Sequence, residues 1–234
     1  MFDQKTRAAI AEIAHRLEVS PAALMAVVEV ESGGRALAKV AGRMEPLIRF
    51  EGHYFDRFLK GDARLEARQL GLASPKAGAV KNPRRQAARW DLLHKAIRIN
   101  RTAALASTSW GVGQVMGSHW QWLGYGSADA LVAEARSGVE GQIKLMARYI
   151  EKAGLVPALQ AQDWAAFARR YNGPAYAKNR YDVKMANAFA RHAKGMEVHP
   201  PVAPVADKAP ALPKTADNQN GLGFGARGPR VKTA

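Results

Sequence analysis

The chain has 234 residues, of which 47% are apolar and 24% charged, with 35 Lys and Arg against 20 Asp and Glu and a formal charge of +15. That length holds one domain plus an appendage more readily than two domains, and the absence of cysteine excludes disulfide frameworks, thiolate metal sites and cysteine nucleophiles. The basic excess points to polyanionic partners: nucleic acid, an anionic membrane surface or the acidic polymers of a cell wall.

No apolar run reaches the roughly 18 residues of a membrane span, so none is expected. The first ten residues mix Asp3, Lys5 and Arg7 without the apolar stretch of a secretory signal, so no signal peptide is expected either. Apolar residues recur at three and four spacing, which predicts a mainly α domain. The first helix is expected over 3–17. Ser20-Pro21 is an N-cap followed by proline at the first helical position, and it opens a second helix that stops at Gly33-Gly34. The segment 39–61 is less regular, with a short extended piece over 47–50, and 60–84 gives no clear pattern. Further helices are expected over 84–99, 128–135, 138–152, 163–171 and 177–193.

Beyond Gly195 the composition changes, with six of the twelve prolines and one aromatic residue in 197–234. The division expected is therefore a domain over 1–195 and a flexible tail over 196–234. The tail has five Lys or Arg against three acids, so +13 of the +15 belongs to the rest of the chain. Gly221, Gly223 and Ala226 match a dinucleotide fingerprint in spacing, but no strand is expected before them and the match is set aside.

Chemistry concentrates in four places. Leu24, Val27, Val28 and Glu31 share one helical stripe, which turns the Glu31 carboxylate toward the core, while Glu29 faces away. Burial and the negative end of the helix dipole both raise the pKa of such a group, as general acid catalysis on a poor leaving group requires. The plain alternative is an ion pair from Glu31 to Arg35 or Arg43. In Leu47 to Phe55, a strand would point Phe50 inward and Glu51 toward a cleft, giving a second carboxylate; Arg49 and Arg57 make an ion pair the alternative there. The stretch 107–125 is dense in Gly, Trp and polar side chains, among them Ser109, Trp110, Gln114, Trp120 and Trp122, which suit sugar rings as well as a core. Trp164, Phe167, Ala168 and Tyr171 share a helix face that ends at Asn172-Gly173-Pro174, leaving Tyr171 and Asn172 at the helix end. The six histidines show no metal-ligand spacing and no nucleophile elbow is present, so neither a metal, a cofactor nor a serine hydrolase is expected.

Val30-Glu31-Ser32-Gly33-Gly34, Phe50-Glu51-Gly52-His53-Tyr54-Phe55, Ser109-Trp110-Gly111 through Gln114 to Gly117, and Tyr171-Asn172-Gly173-Pro174 with Asn179 to Asp182 together resemble the phage-type N-acetylmuramidases, peptidoglycan-degrading endolysins with a lysozyme-like fold. The resemblance runs over 1–193. It implies cleavage of the β-1,4 bond between N-acetylmuramic acid and N-acetylglucosamine, with Glu31 as general acid and Glu51 in the family's second acidic position, for water activation or cation stabilisation. Gln114, Tyr171 and Asn172 match positions that line the sugar groove, and Ser32, His53 and Ser109 in the same motifs join them as substrate-binding candidates. The implied partners are peptidoglycan glycan strands and, through the basic surface, anionic envelope polymers, with no specific nucleic acid; a monomer is expected. It further implies a protein made in the host bacterial cytoplasm that reaches the wall after a holin-type release. Many relatives have an N-terminal wall-binding module for which this chain leaves no room, so anchoring falls to the cationic surface. Two alternatives stay open at this point: a lytic transglycosylase, which closes a 1,6-anhydro ring without water, and a basic nucleic-acid-binding virion protein.

Overall fold

The computed structural model describes residues 2–195, so the 196–234 tail and its glycine spacing lie outside the described residues. Helix α1 (Gln4–Arg16) is capped by Asp3, whose carboxylate accepts from the Thr6 amide at 2.7 Å. Helix α2 (Pro21–Ser32) starts where Ser20-Pro21 predicts and stops at Gly33, which takes the left-handed conformation at φ 56 that a side chain resists. Its burial is wider than the one-stripe reading: Ala22, Ala23, Met25 and Ala26 are buried along with Leu24, Val27, Val28 and Glu31. A helix of small and apolar residues on every side fits a central position rather than a surface one.

The irregular segment holds more structure than its sequence suggests. Strands β1 (Leu37–Val40) and β2 (Arg43–Pro46) form an antiparallel hairpin, then β3 (Ile48–Phe50) leads into α3 (Gly52–Phe58) and α4 (Gly61–Gln69). Helix α5 (Gln86–Ile99) buries Trp90 and Leu93, and α6 (Arg101–Ala106) brings the chain to β4 (Thr108–Trp110) and β5 (Val115–Met116). These last two complete a three-stranded antiparallel sheet in the order β3-β4-β5. A 3-10 turn over Gly117–His119 follows.

Helices α7 (Ala128–Arg136), α8 (Val139–Lys152) and α10 (Trp164–Asn172) lie within a residue or so of expectation, with the short α9 (Val156–Gln160) between the last two. The last helix departs from it. A 3-10 turn occupies Ala177–Asn179, Arg180 sits at φ 54, and α11 begins only at Tyr181, running to Lys194. The left-handed Arg180 interrupts helical hydrogen bonding, and the break turns the chain so that Tyr181 and Met185 are buried in the core that α2 shares.

Two apolar cores result. One gathers α1, α2, α8, α10 and α11 around Ile10, Leu24, Val28, Ile143 and Phe167; the other gathers the sheet with α3, α5, α6 and α7 around Phe50, Phe55, Leu93 and Trp110. Helix α8 serves both, since Ile143 and Met146 pack in the first, Leu145 in the second, and Tyr149 against each.

Candidate active site

The two cores meet at a cleft of about 250 Å³ lined by Glu31, Glu51, Gln114, Tyr149, Tyr171 and Asn172 among others. Its sheet wall follows from strand register. Arg49 pairs with Ser109 and Ser109 with Met116, so these three side chains form one row across the sheet, and all three line the cleft. The next row, Ile48 with Trp110, is buried on the other side. Phe50 follows Ile48 into the core, and Glu51, two residues beyond Arg49, returns to the cleft side, as the strand reading predicts.

The edge of β3 is finished by side chains rather than by another strand. Asn82 accepts from the Phe50 amide at 3.0 Å and donates to the Phe50 carbonyl at 2.6 Å, while Gln86 accepts from the Ile48 amide at 3.0 Å. Arg89 donates to the Ile48 carbonyl at 3.0 Å. These bonds satisfy the edge groups and fix the strand that presents Arg49 and Glu51.

Glu31 is 4% exposed, and its Oε1 accepts from Asn172 Nδ2 at 2.8 Å. Loss of water around the carboxyl pushes its pKa up to about 7, against the smaller downward pull of the Asn172 amide. Among the described residues Glu31 is in no ion pair, and both Arg35 and Arg43 are exposed, so the ion-pair alternative does not hold. Glu29, two residues earlier and on the opposite face of α2, is instead paired with Arg191 and His192 on α11. Burial and the nearby Glu31 raise the Tyr171 phenol well above its ordinary value, and its hydroxyl donates to the Gly113 carbonyl at 2.9 Å. A Cβ on Gly113 would stand 2.8 Å from Met146 and 3.0 Å from the Tyr171 hydroxyl, so this glycine is what lets the β4–β5 turn sit so close. The Oδ1 of Asn172 is buried with no hydrogen-bond partner among the described residues, an acceptor left for a ligand.

The other expected site residues divide. Glu51 is in the ion pair weighed as the alternative, and in the cleft as well: its Oε1 accepts from Arg49 Nε at 2.6 Å, and its Oε2 is 3.6 Å from His53 Nδ1. Arg57 lies elsewhere, over the Tyr54 ring. His53 and Ser109 line the cleft, the Ser109 hydroxyl donating to Met116 Sδ at 3.1 Å. Gln114 lines it too, but at φ 46 its Nε2 donates to the Gly111 carbonyl at 2.8 Å and the Leu47 carbonyl at 3.3 Å, which closes the turn. Ser32 is not brought into the cleft. Its hydroxyl accepts from the Gly34 amide at 3.1 Å and donates to the Glu29 carbonyl at 3.4 Å, finishing the end of α2.

Sequence reasoning missed Tyr149, His119 and the 77–78 segment, all of which line the cleft. Tyr149 reads as one more apolar position of α8, and nothing in 60–84 marks a wall of a cleft. Of the three tryptophans in 107–125, Trp110 is core, its Nε1 donating to the Leu105 carbonyl at 3.2 Å, and Trp120 packs partly against the same core. Among the described residues no cluster of His, Cys, Asp and Glu is arranged to hold a metal ion, and no helix is long and apolar enough to cross a membrane.

A family model described as N-acetylmuramidase matches residues 20–193. A crystal structure of the Burkholderia AP3 phage endolysin is similar to this chain at 37% identity and a TM-score of 0.71, over 80% of this chain and 71% of that one. No curated protein sequence matches it. A helical fold with a carboxyl buried in a cleft wall, together with these matches, defines a glycoside hydrolase that degrades peptidoglycan. The chain belongs to the N-acetylmuramidase family.

Proposed function

We propose that the protein hydrolyses the β-1,4 bond between N-acetylmuramic acid and N-acetylglucosamine, with Glu31 as general acid, and that it lyses the host wall in this way. The observation that carries this reading is Glu31 itself, buried at the cleft wall with its pKa near 7 and its carboxyl oriented by Asn172. In its protonated form Glu31 gives its proton to the glycosidic oxygen as the bond to the anomeric carbon breaks. The departing sugar leaves as the alcohol rather than as an alkoxide, which removes the main barrier to cleavage. Water adds at the anomeric carbon, and its proton leaves to a base or to bulk solvent.

Glu51 shares the cleft and is placed in this reading to orient that water or offset positive charge at the anomeric centre, with Arg49 and His53 beside its carboxylate. The unpartnered Oδ1 of Asn172 accepts from a sugar hydroxyl or acetamido N–H. Mass spectrometry of muropeptides released from isolated sacculi tests the reaction. Hydrolysis predicts reducing ends heavier by one water than 1,6-anhydro products. Anhydro ends as the main product would replace this mechanism with transglycosylation.

A further inference from the structure

Trp122 is 44% exposed, the most exposed of the described large aromatic side chains, while Tyr149 and His119 beside it are half-buried. Its ring stands 5.7 Å from that of Tyr149, and Tyr149 stands 5.4 Å from Tyr171, next in sequence to the Asn172 that holds Glu31. His119 completes the group at 5.6 Å from Trp122 and 5.8 Å from Tyr149. Tyr149, Tyr171 and His119 line the cleft, so this aromatic ladder runs from beside the candidate acid to an open indole at the cleft margin.

The ladder is uncharged near neutral pH, because burial pushes the His119 imidazole down to about 4. An indole left this open forgoes burial that a purely structural tryptophan would use. In a β-1,4-linked glycan the pyranose substituents are equatorial, so each ring offers an apolar C–H face, and that face matches an exposed indole in size and polarity. Packing edge-on against Tyr149 and His119 fixes the Trp122 ring before any ligand arrives, which lowers the entropy lost on binding.

We propose that Trp122 is a stacking platform for an amino-sugar ring of the glycan strand, a subsite outside the bond-breaking centre that Tyr149 and His119 hold in place. The proposal rests on the muramidase reading and names where the strand continues beyond the cleft. It concerns binding of the strand in ground state and transition state alike.

The test uses the full-length protein on soluble, peptide-free glycan strands. Trp122→Ala raises KM about fivefold to tenfold, as expected for loss of one aromatic contact, and leaves kcat within about twofold. Trp122→Tyr restores most of the affinity. In a second measurement, the tryptophan fluorescence of Glu31→Gln changes on titration with the N-acetylglucosamine tetramer, and the change is lost when Trp122→Phe is added. An unchanged KM in Trp122→Ala overturns the platform, and so does a loss of Tm and kcat that Trp122→Tyr does not rescue, since that marks a packing role. If the wild-type protein releases no reducing ends, it is the muramidase reading that fails; if it does while Trp122→Ala binds normally, only the platform fails.

Discussion

At the residue scale, the proposed mechanism rests on one buried carboxyl and one amide. A Glu31 pKa raised from 4.5 to about 7 means that the folded protein holds a proton which the unfolded chain releases. The stability this gives is fully present below pH 4.5 and is lost as pH rises through about 7, in total about 3 kcal/mol. In the proposed mechanism the same proton is the catalytic one, so kcat/KM should fall on the alkaline side of about pH 7 as Glu31 ionises. Asn172 donates to the ionised form and holds the pKa down. In Asn172→Ala the alkaline limb of the kcat/KM profile therefore moves to higher pH, by about half a unit to one unit, while the maximum rate drops with loss of the Asn172 acceptor. A limb that stays in place or moves to lower pH would show that Asn172 does not govern this proton.

At the element scale, the cleft depends on a three-residue strand whose free edge is closed by Asn82, Gln86 and Arg89. Asn82→Ala leaves the amide and carbonyl of the buried Phe50 without partners, a loss of about 2–3 kcal/mol, and thermal denaturation should show a Tm several degrees lower. A Tm within one degree of wild type would mean that the edge finds other partners. The helices around the site were readable from local chemistry, because Ser20-Pro21, Gly33 and Asn172-Gly173-Pro174 are strong start and stop signals, and they place Glu31 and Asn172 at helix ends. The hairpin over 37–46 was not. It buries Val40, Glu45 and Pro46 without alternation, so no period of two exists in its sequence, and Glu45 owes its burial to Arg136 on α7. Asn82 was equally silent, since an amide that completes a strand edge looks like any loop asparagine. Ser32 misled for the opposite reason: it sits in the motif around Glu31, and only the helix geometry shows its hydroxyl turned back to Glu29 and Gly34.

At the scale of the whole molecule, the charge and the site belong to the same part of the chain. With +13 of the formal +15 on residues 1–196, the part that carries the cleft is also the part that the proposed attraction to anionic envelope polymers would draw on. Helix α11 packs on α2, with Met185 in the core that the α2 residues share, links to Glu29 through Arg191 and His192, and ends at Lys194. A protein truncated after Gly195 should therefore fold and keep its rate of reducing-end release from sacculi. Its association with sacculi, like that of the full chain, should weaken as salt is raised, because an electrostatic attraction is screened. Loss of activity on truncation would make the tail part of the enzyme, and salt-independent association would remove the electrostatic account.

The role of Glu31 as general acid is tested most directly by the rate at which Glu31→Gln releases reducing ends from isolated sacculi at pH 6, with the fold checked by circular dichroism and Tm. The account predicts a rate lower by about 100-fold or more, the span that a positioned acid contributes, together with a Tm at pH 8 at or above that of wild type, because a buried charge has been removed. A folded Glu31→Gln protein that lyses sacculi at close to the wild-type rate would contradict it.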